Sequence, residues 1–348
     1  MGAPFITTLL CMSLGLGTVI TFSSSHWLLA WAGLEINTIS ILPIIAARHH
    51  PRAVEASTKY FLVQAAGAAM LLFATFSNAW LTGEWNITQT THPSTTYIAA
   101  IALALKLGLA PLHLWMPEVL QGSELTVGLL LATWQKLAPV ILLFQIALAD
   151  TYLLTTLGLA STLLAGWAGL NQVQVRKILA YSSIAHMGWL IVVLPYSPDL
   201  ALLALFLYIL ATAGAFYIFH VHKTHALYSF HRTPLGPSAA ALAVLILLSL
   251  GGLPPLSGFV PKWLIIHQLV SQELYPLAVL MAMSALLSLF FYLRLSYALT
   301  ITKPPLHTSS SPLWRLPTPK MAAPAAAFTI ATLALLPVMP VVASILLR

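Results

Sequence analysis

Charge is what this chain lacks. Only 7% of its 348 residues are Asp, Glu, Lys or Arg, against about a quarter in a typical soluble domain. Acidic side chains are the scarcer sign, 8 against 15 basic ones. So few charges cannot clothe a water-facing surface, which excludes a soluble enzyme or binding module. Cysteine is nearly missing as well. Cys11 stands alone, so the chain forms no internal disulfide and supplies no cysteine metal cluster. The sequence also has no Rossmann glycine fingerprint, P-loop, CxxC pair or haem-attachment motif. The glycine-rich text near Leu14 lies inside an apolar run, where it cannot serve as a dinucleotide loop. A formal net charge of +7 does not point to nucleic acid. The basic residues fall in short connections between apolar runs, as topology determinants do. The first run has no basic n-region or clear cleavage site, so no cleavable signal peptide is expected.

What is present is apolar, at 59% hydrophobic residues. The runs are long rather than alternating, which argues against a barrel and for an all-α, polytopic membrane protein. About eleven spans of the ~20 residues that a bilayer requires can be drawn. Their cores are 3–21, 27–46, 60–81, 98–119, 125–147, 152–171, 177–195, 200–221, 239–271, 276–294 and 323–346. The ninth is overlong and contains GGLPPLSGFVPKW, so it is expected to be discontinuous. Gly and Pro break the intrahelical ladder, and the freed backbone must find partners in protein or water.

With these spans the charges sort by side. One face collects Arg48, Arg52, Lys59, Arg176, Lys177, Lys223, Arg232, Arg294, Lys303, Arg315 and Lys320. The other collects Glu84, Asp150, Asp199 and Glu273, with Arg348 at the end. The positive-inside rule puts the first face and the N-terminus on the cytoplasmic side or its organellar equivalent, and the C-terminus opposite. Glu118 and Glu124 run against this pattern, although carboxylates count little in it.

Glu35, Lys106, Lys136 and Lys262 fit no loop. A charge at the centre of a membrane helix costs roughly 2.5–3.5 kcal/mol on insertion scales and usually marks an ion or proton path. A buried polar group paired for packing is the plainer reading of any one of them. Four together, beside broken helices, favour transport. The stretch IALALKLGLAPLHLWMPEVLQGSELTVGLLLATWQKLAPVIL holds Lys106 and Lys136 on either side of Gly108, Pro111 and Pro117. This break lies in the fourth span, and the other lies in the ninth, the fourth of a second group of five. Five is odd, so the second group enters from the opposite side. Matching breaks in inverted halves point to a transporter-type site. The expected units are 1–149, 150–300, and a linker with a last helix at 301–348.

Other candidates are weaker. His186, in KILAYSSIAHMGW, lies about nine residues beyond Lys177, near mid-membrane at 1.5 Å per residue, and could relay a proton or be a satisfied core histidine. His113, beside the first break, is similar. His220, His222, His225 and His231 read as an interfacial loop rather than a metal tract. Asn86-Ile-Thr88 is a weak glycosylation match. TKPPLHTSSSPLWRLPTPK reads as a polar linker on the basic face.

Three stretches, KLGLAPLHLWMPEVLQGSELTVGLLLATWQKLAPV, KILAYSSIAHMGW and GGLPPLSGFVPKW, resemble the antiporter-like membrane subunits of respiratory complex I, of the vertebrate mitochondrial type. The resemblance covers nearly the whole chain. It implies two inverted five-helix units, each with a broken helix, in a subunit that moves protons across the inner membrane while electrons pass from NADH to ubiquinone elsewhere. Residue by residue, it makes Glu35 the partner of Lys106 on the broken helix and Lys136 the central-axis lysine of the next helix. Lys262 becomes the charged residue of the second broken helix, and His186 a polar axis position. Three helices that begin the bacterial relatives are expected to be absent here. NAD, FMN, iron–sulfur clusters and ubiquinone would belong to other subunits, leaving this chain without its own cofactor. Expected partners are other membrane-arm subunits, including a second antiporter-like chain and small membrane chains, and the lipid bilayer with cardiolipin as a candidate lipid. No nucleic acid is expected. The implied location is the mitochondrial inner membrane, with the N-terminus and basic loops on the matrix side and the C-terminus facing the intermembrane space. A multisubunit cation/proton antiporter shares the same motifs and is the rival reading.

Overall fold

The structure is a computed structural model that describes residues 4–47, 49–89, 92–146, 151–221, 237–301, 322–335 and 337. Fourteen α-helices make up nearly all of the described residues: α1 Pro4–Ser23, α2 Trp27–Ala46, α3 Pro51–Thr82, α4 Pro93–Leu107, α5 Trp115–Gly122, α6 Leu125–Ala132, α7 Trp134–Ile146, α8 Thr151–Gly169, α9 Val175–Val193, α10 Pro198–Val221, α11 Pro237–Gly251, α12 Phe259–Ser271, α13 Tyr275–Ile301 and α14 Ala322–Ala334. The extended pairing among them is a single bridge between His26 and Asn86. Among the described residues, seven spans, one of them α6 and α7 taken together, are long and apolar enough to cross a bilayer, and α4 and part of α11 are shorter apolar helices. Arg48, Lys223, Arg232, Lys303, Arg315, Lys320, Asp150, Arg348, the histidines His222, His225 and His231, the Pro-rich linker and most of the last expected span lie outside the described residues.

Local chemistry sets the helix ends. His26 and His50 cap α2 and α3, each ring nitrogen accepting the N–H two residues on at 3.2 Å. Pro51 and Pro93 occupy first-turn positions, where the missing N–H costs nothing. α3 therefore starts nine residues before the expected apolar core at 60, because its charged first turns lie outside the apolar run. The expected interruptions separate α4 from α5 and α11 from α12. A third was not expected: the span 125–147 is cut at Thr133 into α6 and α7. There the Lys136 N–H bonds the carbonyl of Thr133, at 3.3 Å, instead of continuing the i−4 ladder to Ala132. Pro139, with no N–H, removes one more bond in the following turn.

Two helix pairs pack with the same glycine contacts. In α1 and α2, a Cβ built on Gly17 would lie 2.8 Å from the Gly33 carbonyl, and one on Gly33 would lie 2.6 Å from Thr21 Cγ2. In α8 and α9, a Cβ on Gly158 would lie 2.9 Å from the Gly188 carbonyl, and one on Gly188 would lie 2.7 Å from Thr162 Cγ2. Close backbone approach through small residues is how membrane helices gain packing contact without a hydrophobic driving force.

Among the described residues the apolar core divides into two large clusters, besides a small one of Leu203 and Leu207. One contains Trp27, Leu34, Leu103, Leu107, Ala138, Leu190 and Leu269. The other contains Ile41, Tyr60, Trp115, Ala132, Ile184, Phe216 and Leu250. The helices that contribute to both change cluster near their middles. Lys136 falls between Ala132 and Ala138, and His186 between Ala185 and Met187. A polar layer is thus sandwiched between two apolar slabs. On the basic face Lys59 pairs with Glu55 and Glu118, each at 2.7 Å, and the Arg176 guanidinium donates to the carbonyl of Ser123. Glu118, one of the two carboxylates that run against the charge pattern, has Lys59 as its partner there.

Candidate functional site: two broken helices and a buried lysine axis

The two principal breaks begin alike. Gly108 (φ +72°) ends α4, and Gly252 (φ +77°) ends α11. In the first, Gly108 N–H reaches Leu105 O at 3.1 Å and Leu109 N–H reaches Ala104 O at 2.9 Å. In the second, Gly252 N–H reaches Ser249 O at 2.9 Å and Leu253 N–H reaches Leu248 O at 3.2 Å. Both are Schellman motifs, which glycine permits because it adopts positive φ without a Cβ penalty. Each leaves the last carbonyls of its helix looking for donors.

The breaks differ in what answers those carbonyls. In the first, the Gln64 amide of α3 donates to Lys106 O at 3.3 Å and the Trp115 indole donates to Leu105 O at 3.1 Å. In the second, the Lys262 ammonium reaches back from α12 to donate to Gly251 O at 2.8 Å and Leu250 O at 3.4 Å. A cation at a helix C-terminus is favoured by hydrogen bonding and by the helix dipole. Lys106 has no such anchor. It is 5% exposed, and its Nζ has no hydrogen-bond partner. Gly67 of α3 makes room for it, since a Cβ there would lie 3.2 Å from Lys106 Cγ.

Glu35 is half-buried on α2. Among the described residues no ion pair within 4.0 Å joins it to Lys106. Its carboxylate instead lies 3.1 Å from the Thr38 hydroxyl, whose one proton is shared with the Glu35 backbone carbonyl at 2.9 Å. Lys136 is 3% exposed. Its ammonium donates to Ser183 O of α9 at 3.1 Å and to the Tyr208 hydroxyl of α10 at 3.3 Å. His186 sits with its ring 5.5 Å from that of Tyr208 and its Nε2 3.4 Å from the Tyr292 hydroxyl.

Two cavities gather these groups. The first joins Lys106 and Lys136, with Asn37, Thr38, Gln64 and Gln135 in its wall. Its free space of about 10 Å³ is near the ~10–15 Å³ that one water requires. The second, of about 30 Å³, joins His186, Tyr208, Ser249, Ser257 and Lys262. The structure therefore brings Lys106 and Lys136 together, and His186 and Lys262 together. Glu35 approaches the first cavity only through Thr38, which lines it. His113, buried in the first break with its Nδ1 unpartnered and its ring 6.4 Å from Tyr181, lines neither cavity. Sequence reasoning passed over Asn37, Gln64 and Gln135, each legible as a polar residue in an apolar run. It also passed over Tyr208 and Tyr292, which carry no such signal because tyrosine is common in apolar helices.

Interrupted helices that bury lysines beside small cavities are features of an antiporter-like membrane subunit, and the chain falls within such a family. It belongs to the NADH:quinone oxidoreductase/Mrp antiporter transmembrane family, whose model matches residues 24–288, well over half of it. Residues 289–343 match the NADH dehydrogenase subunit 2 C-terminus. The particular proteins it is similar to are NADH-ubiquinone oxidoreductase chain 2 of Salmo salar, 56% identical with 99% of both chains covered, and that of Danio rerio, 54% identical over 97% of this chain and 98% of the other. Among solved structures, a chain of respiratory complex I from Thermus thermophilus with bound aureothin superposes with a TM-score of 0.85 at 28% identity, over 97% of this chain and 79% of that one. A chain of the Mrp complex from Dietzia sp. DQ12-45-1b has a TM-score of 0.85 at 17% identity, over 95% and 75%, and shares the fold alone.

Proposed function

We propose that this chain is a membrane-arm subunit of respiratory complex I and carries protons across the mitochondrial inner membrane, driven by electron transfer from NADH to ubiquinone in other subunits. The observation that carries this reading is a pair of cavities, the first shared by Lys106 and Lys136 and the second by His186 and Lys262. The end-to-end similarity to chains named NADH-ubiquinone oxidoreductase chain 2 supports complex I over a free-standing cation/proton antiporter. Sodium transport by the isolated chain in liposomes would favour the antiporter instead.

In this reading Glu35 controls the charge of Lys106. When its carboxylate faces Lys106 the ammonium is held. When it is neutralised, or tied to Thr38 as in this structure, Lys106 can hand its proton toward Lys136. Lys106, whose Nζ is without a hydrogen-bond partner, lines the first cavity with Lys136, which suits a water linking the lysines. From Lys136 the route runs to Lys262 and His186. His113 stands off this line and is a secondary candidate on the basic side.

The matching Gly17/Gly33 and Gly158/Gly188 contacts and the two Schellman breaks support units at 1–149 and 150–300, with the last helix apart. Contacts near helix ends suit the expected sidedness. Arg52, Ser123 and Arg176 meet on the basic face, and Ser25, Trp27, Trp85 and Ile87 meet on the other. The basic face is the matrix side. The fish relatives are named as chains of an oxidoreductase, and the partners would be the other membrane-arm chains of such a complex, with cardiolipin as a candidate lipid. NAD, FMN, iron–sulfur clusters and ubiquinone would stay with those partners.

The test is a Glu35→Ala complex that assembles to normal levels. It should pump fewer protons per electron. A wild-type ratio would sink the assignment of Glu35 and the switch built on it.

A further inference from the structure

The two cavities are not continuous, and one side chain stands where they meet. Tyr208 is 4% exposed. It lines the second cavity with His186 and Lys262, and its hydroxyl touches Lys136, which lines the first. A phenol has one proton to donate. Here it goes to the carbonyl of Ala132 at 2.6 Å, so the lone pairs are left to accept from Lys136 Nζ at 3.3 Å.

The Ala132 carbonyl is open to this bond because α6 stops there and Lys136 N–H bonds Thr133 O instead. One interruption thus does two things. It frees a carbonyl that holds the Tyr208 hydroxyl, and it sets Lys136 one turn further on, against the same oxygen. Among the described residues, Tyr208 is the side chain that touches Lys136 Nζ and also lines the second cavity.

We propose that Tyr208 is the gated relay between the two cavities, an inference that rests on the proton-carrying role argued above. With its O–H donated to Ala132 O, as in this structure, the hydroxyl can accept from Lys136 but has nothing to pass on, and the gate is closed. When the hydroxyl turns from Ala132 O toward the second cavity, its O–H bond breaks as the proton passes to a water there. At the same time an N–H bond of Lys136 breaks and a new O–H bond forms. One proton crosses, a neutral phenol remains, and Lys136 is left as an amine. The second cavity, at about 30 Å³, has room for about two waters by the same measure, and His186 and Lys262 stand in its wall as the next groups.

The test compares Tyr208→Phe with Lys136→Ala in the assembled complex in native membranes, reading protons moved per electron and the solvent deuterium isotope effect on coupled turnover. Tyr208→Phe keeps the ring against His186 and removes only the hydroxyl. Its proton step should slow by about 10²-fold, the scale of a lost acid–base group, with a lower proton-to-electron ratio and a larger isotope effect. If Lys136→Ala lowers the ratio and Tyr208→Phe leaves both readouts at wild type, the relay is overturned while the lysine axis stands. If Lys136→Ala itself pumps normally, the axis falls and the relay with it. Failure of Tyr208→Phe to assemble also overturns the relay, because the hydroxyl would then be a requirement of the fold.

Discussion

The first broken helix keeps its lysine free, and the second uses its lysine as a cap. Both helices end on a glycine at positive φ with the same pair of backbone hydrogen bonds, so the backbone does not explain the difference. It lies in who satisfies the last carbonyls: Gln64 and Trp115 in the first break, the ammonium of Lys262 in the second. Neutral donors on neighbouring elements release Lys106 from structural duty. Lys262 cannot leave its carbonyls without exposing the end of α11. One unit therefore carries a lysine without a hydrogen-bond anchor, and the other a lysine that also caps a helix end. The same residue type, buried beside the same motif, serves two ends.

Exchanging either lysine should break the comparison most visibly. Lys262→Ala leaves the Leu250 and Gly251 carbonyls without their donor. Hydrogen bonds to charged groups contribute about 1.5–3 kcal/mol each, so the thermal midpoint of the purified complex should fall well below that of Lys106→Ala. The latter removes an unpaired buried ammonium and should leave the midpoint unchanged or raise it. Equal losses in the two variants would erase the distinction.

Gln64→Leu sharpens the point from the other side. It removes the donor to Lys106 O, and a buried carbonyl left unmade costs about 1–3 kcal/mol. Limited proteolysis should then open the first break before the second. Gly252→Ala combines a positive φ, worth roughly 1–2 kcal/mol for an L-residue, with a Cβ 2.8 Å from Lys262 Cδ. Gly108→Ala shares the backbone cost but meets Trp115 at the looser 3.3 Å, so its thermal midpoint should drop less. Lys136→Arg should leave assembly intact and slow coupled turnover, since a guanidinium hardly deprotonates. The smallest effect is expected from Lys59→Met. Its ion pairs with Glu55 and Glu118 lie at the exposed basic face, where such pairs contribute little, and the midpoint should barely move.

Much of this was legible in the chain. The apolar runs, the two breaks and the four loopless charges could be read because charged side chains are rare inside a membrane helix and clustered Gly and Pro interrupt its backbone ladder. The early start of α3 was signalled by His50 and Pro51 but hidden from an apolar count by Arg52, Glu55 and Lys59. Pro139 hinted at the break between α6 and α7, yet a proline alone does not say where a ladder resets. The division of capping between Gln64, Trp115 and Lys262 could not be read, because it depends on which helices meet and not on any local pattern. Tyr208 was invisible for the same reason: its meaning comes from Ala132 and Lys136, more than seventy residues away in sequence.

The most direct measurement is the proton-to-electron ratio of an assembled complex carrying Lys106→Ala. If this lysine is left unanchored so that a proton can pass through it, the ratio falls while the complex remains as stable as wild type. A Lys106→Ala complex that assembles normally and pumps at the wild-type ratio would contradict the account at its centre.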